Sequence, residues 1–470
     1  MNKNINAASP IEISENAEKA LNESMGHQEK KVDTRPSILY CCPGNILDIT
    51  SGAALSLRTI LAAFATRGFR AVAIQATIFD SPQGGQHVME AGKEQASKAI
   101  WRTVADGVEH LIVKTRAYRR HLMTVQEEET LVQLFRNELK FRKPDFIFLW
   151  GSLILERTVM REARDANIPV AFYLVNPGYK DITVFKDVSV VISDTHATAK
   201  LYKERLGLDC KVVGKFISTE ALKSTVPRKP DFFTFINPSF EKGVSVFMPL
   251  AKLMAKESPE IKFLVVQSRG VWANALNILK FKPEDFPNVT VIGHQHNMKP
   301  IYASTRALLL PSLWHESGAR VIAEAQINGI PILASNTGGS AELIGKGGRT
   351  FDLPENVREK KNEALVTESD LRPWVDEIKR LYSDQSYYQK LCEQVDLESK
   401  QHDIAHNTQR FINAVAEDVR KSKIKQIQEE KNKSPDPKHL KVLNEALKKL
   451  QAQNKAKTKA KQKPKTKNKR

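Results

Sequence analysis

Residues 307–342, ALLLPSLWHESGARVIAEAQINGIPILASNTGGSAE, constrain the fold of this chain more than any other stretch. An apolar run at 307–310 stops at Pro311, a polar loop follows, and a helix-like stretch carries Val321, Ala325 and Asn328. A second apolar run at 331–335 comes next. The order is strand, loop, helix, strand with short joints, the pattern of a βαβ unit in a parallel sheet. Glu316 and Glu324 stand on either side of the helix start, with seven residues between them. A carboxylate just ahead of a helix, beside the unpaired amides of Gly318, Ala319 and Arg320, offers acceptors for sugar hydroxyls and donors for phosphate. That chemistry suits a nucleotide sugar.

The same residues form a series. In order along the chain stand Pro311-Ser312, Glu316-Ser317-Gly318, Glu324-Ala325, Gly329-Ile330-Pro331-Ile332, and Gly338-Gly339 with Glu342. Two glutamates at this spacing carry little alone, because helices are rich in glutamate; five elements in order are specific. The series resembles the donor-binding signature of the family 4 retaining glycosyltransferases, which have the GT-B fold. The resemblance spans roughly residues 37–418. It implies an α/β chain with two Rossmann-like domains, their parallel sheets facing a central cleft, and the donor held by the C-terminal one. It implies that Glu316 holds and orients the sugar, that Glu324 binds the ribose, and that Ser317, Gly318, Ala319 and Arg320 lie on the donor. The nucleotide sugar is then a substrate, and the resemblance calls for no cofactor and no metal. It also implies front-face attack, with the leaving phosphate helping to take the acceptor's proton and no enzyme nucleophile.

A second signature of the family follows Phe232–Ile236, which reads as a strand. It runs into Asn237-Pro238-Ser239-Phe240-Glu241-Lys242-Gly243 and an amphipathic helix with Val246, Leu250, Leu253 and Met254. Lys242 matches the family's diphosphate lysine. Asn237 stands where the family has an arginine, which removes one charge from the phosphate clamp. Arg269, in the loop after the next strand, is the candidate to supply it. The resemblance thus assigns catalysis to Glu316 and Lys242, the ammonium and the positive helix end stabilising the leaving diphosphate.

In the first half, Ser37–Cys41 and Arg70–Ala76 read as strands around a helix with Leu55, Ile60, Leu61 and Phe64 as its apolar positions. Gly52, at the mouth of the first strand–helix joint, lets a ligand approach the backbone. The resemblance turns it toward the donor's phosphates, with one glycine where a pair is usual. Runs at 144–150 and 169–175 are two further strands. Near such strand ends much of the family carries a histidine, but here stand Leu149-Trp150-Gly151 and Leu174-Val175-Asn176-Pro177, so no histidine is assigned to catalysis. His196 begins a helix after Asp194-Thr195. Stretches 93–104 and 126–141 have helical patterns, and acceptor recognition is expected within 84–142, near Arg116, Arg119 and Arg120. His294 and His296 fall in a loop beside the expected nucleobase, with no third ligand nearby to make a metal site.

A chain of 470 residues exceeds what one core supports, so two domains of roughly 150–200 residues are expected. The boundaries read as a disordered arm at 1–35, an acceptor domain at 36–214, a linker at 215–230, a nucleotide-sugar domain at 231–400, a helix crossing back at 401–420, and a lysine-rich tail at 421–470. Cys41, Cys42, Cys210 and Cys392 form no Cys-x-x-Cys pair, which points to a reduced, cytoplasmic chain. No apolar run approaches the roughly 18–20 residues of a membrane span, and the first 35 residues lack a signal-peptide core.

The net charge of +18 is concentrated at one end: residues 421–470 hold 18 Lys/Arg and four acids, a net of +14, leaving +4 for the rest. Leu440, Leu443, Leu447 and Leu450 mark a short amphipathic helix there. From Lys455 onward the alternation of lysines with small and polar residues cannot build a core and is expected to be disordered. Such charge fits an anionic membrane surface, at about 1 kcal/mol per basic residue near the headgroups. Without aromatics for base stacking, specific nucleic-acid recognition is not expected. The whole reads as a cytoplasmic retaining glycosyltransferase, peripheral on the inner face of the membrane, acting on a glycan or lipid-linked acceptor in cell-surface polysaccharide or glycoconjugate synthesis. The alternatives are another enzyme of the same fold (an epimerase or a phosphorylase), a catalytically weak scaffold of that fold, or a nucleic-acid-binding protein acting through its tail.

Overall fold

Two sheets, parallel but for one edge strand, organise the chain, and the computed structural model describes residues 35–360, 365–433 and 436–461. The first sheet comprises β1 (Ser37–Cys41), β2 (Arg70–Ala76), β3 (Ile100–Ala105), β4 (Val108–Val113), β5 (Phe146–Leu149), β6 (Val170–Tyr173), β7 (Val190–Ser193) and β8 (Cys210–Val212). Their spatial order is β3-β4-β2-β1-β5-β6-β7-β8. The inner strands are continuous apolar runs, FIFL in β5 and VAFY in β6, because helices cover both faces. Chain order reverses between β1 and β5, so the crevice beyond their carboxyl ends is where ligands bind in this class of sheet.

The helix expected over 93–104 is not formed. A short 3-10 turn, Gly92–Gln95, leads into β3, which pairs antiparallel with β4. Asp106 and Gly107 at the hairpin tip have φ of 53° and 75°. This is the geometry that an Asp-Gly pair favours in a two-residue hairpin. Ile100, Trp101, Thr103 and Val104 are strand formers, and pairing with β4 overrides their weak helical spacing.

The second sheet comprises β9 (Phe232–Ile236), β10 (Lys262–Val266), β11 (Val289–Ile292), β12 (Thr305–Leu310), β13 (Ile332–Ser335) and β14 (Gly348–Phe351). Its order is β11-β10-β9-β12-β13-β14, parallel throughout. The reversal falls between β9 and β12, whose following loops carry Lys242 and Glu316. Phe247, on the helix Val244–Glu257, stacks on Phe235 at 4.6 Å and anchors that helix to the sheet.

The helix Ile404–Lys433 returns to the first sheet, where Phe411 meets Phe64 and Phe148 edge-on at 5.0 and 5.4 Å. Ser422 and Gln426 both donate to the Asn167 carbonyl, extending the contact. A second helix, Pro437–Lys461, doubles back on the first and buries Leu443. The expectation of a disordered stretch from Lys455 is therefore corrected for 455–461. Lysine and alanine, both strong helix formers, fill every one of these positions but Thr458 and favour a helix on propensity alone. Residues 1–34 and 462–470, and with them most of the expected arm and the tail's end, lie outside the described residues. Among the described residues all four cysteines are free, and no helix is long and apolar enough to cross a membrane.

Candidate functional site

The site starts where β9 ends. Asn237 takes a left-handed turn with φ of 64°, a conformation that asparagine tolerates better than most residues. Its backbone N–H donates to Val266 at 2.8 Å, and its Oδ1 accepts from the Gly270 N–H at 2.7 Å. The residue standing in place of the family's arginine is thus a turn former that pins the loop after β10.

Six residues on, Gly243 has φ of 84°, and a Cβ there would lie 1.7 Å from the Pro311 carbonyl oxygen. Only glycine lets the loops after β9 and β12 approach this closely. The approach brings Lys242 Nζ to 2.6 Å from Glu316 Oε1, and the Ser312 hydroxyl donates to the same oxygen at 2.6 Å. Glu316 is buried, whereas Lys242 keeps part of its side chain open to the cleft.

Beyond Glu316 the loop enters the helix Arg320–Ile327, whose N-cap Ala319 supplies no capping side chain. The Ser317 hydroxyl and the Arg320 Nη1 are buried without a hydrogen-bond partner among the described residues. Arg320 Nε lies 2.8 Å from Glu324 Oε1, and the Tyr302 hydroxyl donates to the other carboxylate oxygen of Glu324. Burial, and then the Glu324 charge, hold the Tyr302 hydroxyl well above its usual proton affinity. Glu324 is therefore already doubly engaged, by a partner four residues back on its own helix and by one that only packing brings to it.

Across the cleft, Ser51 caps the helix Gly52–Thr66, and Gly52 has open space where a Cβ would stand. Trp150, Tyr173 and Asn176, from the ends of β5 and β6, complete that wall. Tyr173 and Lys215 converge on buried Asp194, the hydroxyl at 2.7 Å and the ammonium at 2.8 Å. Arg269 is exposed and reaches Asp80 of the opposite wall at 3.8 Å.

Glu316, Lys242, Glu324, Ser317, Gly318, Ala319, Arg320, Arg269 and Gly52 all line one cleft of about 1230 Å³. The basic group near residue 120 does not join them. Arg120 pairs with Glu128, and Arg119 bonds the Tyr118 hydroxyl. His294 and His296 line the cleft with rings 5.1 Å apart, burial and the neighbouring ring lowering the proton affinity of His294. No group of three or more metal-ligating side chains occurs among the described residues. The sequence reading missed Trp150, Tyr173, Lys215 and Tyr302. Local sequence singles out none of them: even Lys215 shares its stretch, read as linker, with Lys223, Arg228 and Lys229.

This geometry can be set beside known proteins. Residues 232–384 match the family of group 1 glycosyl transferases. The matched segment contains Lys242, Glu316 and Glu324. The spore coat protein SA of Bacillus subtilis is 25% identical over 165 residues, which is 32% of this chain and 44% of that protein. The chain thus aligns with less than half the length of that curated relative. Anabaena HepE, solved with UDP-glucose, superposes with a TM-score of 0.58 at 14% identity over 81% of this chain and 99% of that one. Sucrose-phosphate synthase from Thermosynechococcus elongatus gives 0.56 at 12% identity over 84% and 99%. These likenesses establish the fold as GT-B.

Proposed function

We propose that this GT-B protein is a retaining glycosyltransferase that moves a sugar from a nucleoside-diphosphate donor to a glycan or lipid-linked acceptor. One observation carries the reading: Lys242 and Ser312 converge on one oxygen of buried Glu316, beside the unpartnered Ser317 hydroxyl and Arg320 Nη1 in the same cleft. A donor diphosphate would take Lys242, Arg320 and the Ser317 hydroxyl as its hydrogen-bond donors. These donors, two of them cations, are in place before the reaction and have their largest effect as the leaving group gains charge. Glu316 would accept from the sugar's hydroxyls, and Glu324, steadied by Tyr302 and Arg320, from the ribose. The bond from the anomeric carbon to the diphosphate oxygen breaks on the face where the acceptor oxygen bonds, and the acceptor proton passes to the leaving phosphate.

HepE was solved with UDP-glucose, so uridine donors come first in a test. Incubating the protein with a panel of nucleotide sugars should release free nucleoside diphosphate from one of them by slow hydrolysis. Failure of every donor to bind or turn over would remove the reading.

A cytoplasmic, membrane-peripheral location in cell-surface polysaccharide or glycoconjugate synthesis belongs to the same proposal. Its support is the lysine content of the helix Pro437–Lys461 and the residues after it. Deleting residues 437–470 should release the protein from anionic vesicles and leave turnover of a soluble acceptor intact. Binding to neutral vesicles that resists salt would contradict a charge mechanism, because exposed charges are screened within about 8–10 Å at physiological salt.

A further inference from the structure

Five consecutive residues of the first domain, Asp194 to Thr198, touch the second domain at the loop 315–318 of the candidate site and at the short helix Ser340–Ile344. Asp194 packs so closely on Gly318 that a Cβ at Gly318 would fall 2.5 Å from its Oδ2. The Thr195 hydroxyl donates to the Ser317 carbonyl at 2.8 Å. The N–H groups of His196 and Ala197 donate to the two carboxylate oxygens of Glu342 at 2.8 and 2.9 Å. The Thr198 hydroxyl lies 3.4 Å from both His315 Nε2 and the Ser317 carbonyl.

These contacts close the start of the helix His196–Leu206 from outside its own domain. A helix leaves its first N–H groups without intrahelical partners. Here Glu342 takes the first two, and the cap Thr195 accepts the third, from Thr198, at 3.3 Å. A carboxylate at a helix N-terminus is favoured by the helix dipole, and its bonds to N–H groups are charge-assisted. Glu342 lies at an exposed rim, so water can replace it and the fold does not depend on it.

The other end of this arrangement reaches Glu316. Gly339 N–H donates to the Glu316 carbonyl at 2.6 Å. A Cβ on Gly338 would lie 2.5 Å from that carbonyl oxygen, and one on Gly339 would lie 2.7 Å from Thr195 Cγ2. The two glycines are the thin layer that lets the first domain press on the backbone of the loop carrying Glu316.

We infer that Glu342 and Thr195 are positioning residues: together they lock the first domain onto the loop 315–318 and hold Glu316 and Ser317 in place for the donor. The catalytic consequence rests on the glycosyltransferase reading; the lock itself does not. Amide hydrogen exchange at residues 196–199 and donor KM and kcat should be measured for the wild type and for Glu342→Ala, Glu342→Gln and Thr195→Val. Glu342→Ala should lose protection at His196 and Ala197 by about tenfold or more and raise donor KM by about threefold or more with a smaller change in kcat. Its melting temperature should move by less than about 2 °C, as for an exposed contact. Glu342→Gln, which keeps one acceptor oxygen, should fall between wild type and alanine. Thr195→Val should shift donor KM in the same direction without altering the contact of Glu342. Retained protection in Glu342→Ala, or lost protection with wild-type KM and kcat, would overturn the inference. If the wild type turns over no nucleotide sugar, the functional proposal falls, and exchange at residues 196 and 197 alone decides the lock.

Discussion

Lys242 Nζ and Glu316 Oε1 lie 2.6 Å apart although 74 positions separate them in the chain. The two loops meet because β9 and β12 are neighbours in the sheet and Gly243 removes the side chain that would part them. One oxygen of Glu316 takes both the Lys242 ammonium and the Ser312 hydroxyl. The pair thus presents one anion and one cation to the same ligand.

The first consequence concerns binding. Lys242→Ala should weaken binding of a nucleoside diphosphate by about 1.5–3 kcal/mol, the range for a hydrogen bond to a charged group. Isothermal calorimetry reads this directly, and unchanged affinity would take Lys242 out of the site.

Acid stability gives a second. His110 and His402 are both buried, and burial lowers each imidazole to about 4, with the Lys215 charge adding to the effect at His402. In the unfolded chain both titrate near 6.5. Between those values the unfolded state binds more protons, so stability rises with pH and is lost as pH falls from about 6.5 toward 4, by about 1.4 kcal/mol per pH unit and site. Buried Glu138 and Glu156, whose carboxyls burial pushes up, act in the opposite sense. Single-site variants separate them. Urea unfolding of His402→Gln between pH 5 and 7 should show a shallower loss on acidification than the wild type; an equal slope would contradict a neutral buried imidazole.

Much of the fold was legible because buried parallel strands carry continuous apolar runs, as in FIFL of β5 and the ALLL that ends β12. The β3–β4 hairpin was not read from the sequence, although its Asp106-Gly107 tip carried the signal. At the site, local order gave Glu316, Glu324 and Lys242 as candidates. The i,i+4 spacing carries the Arg320–Glu324 ion pair, but nothing local shows that Tyr302 also holds Glu324, because Tyr302 lies 22 residues before it and meets it only through packing. The lock of Glu342 on His196 and Ala197 spans two domains, and no local pattern encodes such a contact. Asn237 reads as a loss of charge in the sequence and as a required left-handed turn in the structure.

Glu316→Gln tests the central claim most directly. It keeps the side chain's size and its bond from Ser312, and removes the charge that would orient the sugar hydroxyls. In a protein with demonstrated donor turnover, Glu316→Gln should lower kcat by far more than it weakens nucleoside-diphosphate binding, because the lost interaction acts on the sugar in the transition state. Full turnover in Glu316→Gln, with unchanged donor affinity, would make the carboxylate a structural partner of Lys242 and contradict the assignment of this cleft as the donor site.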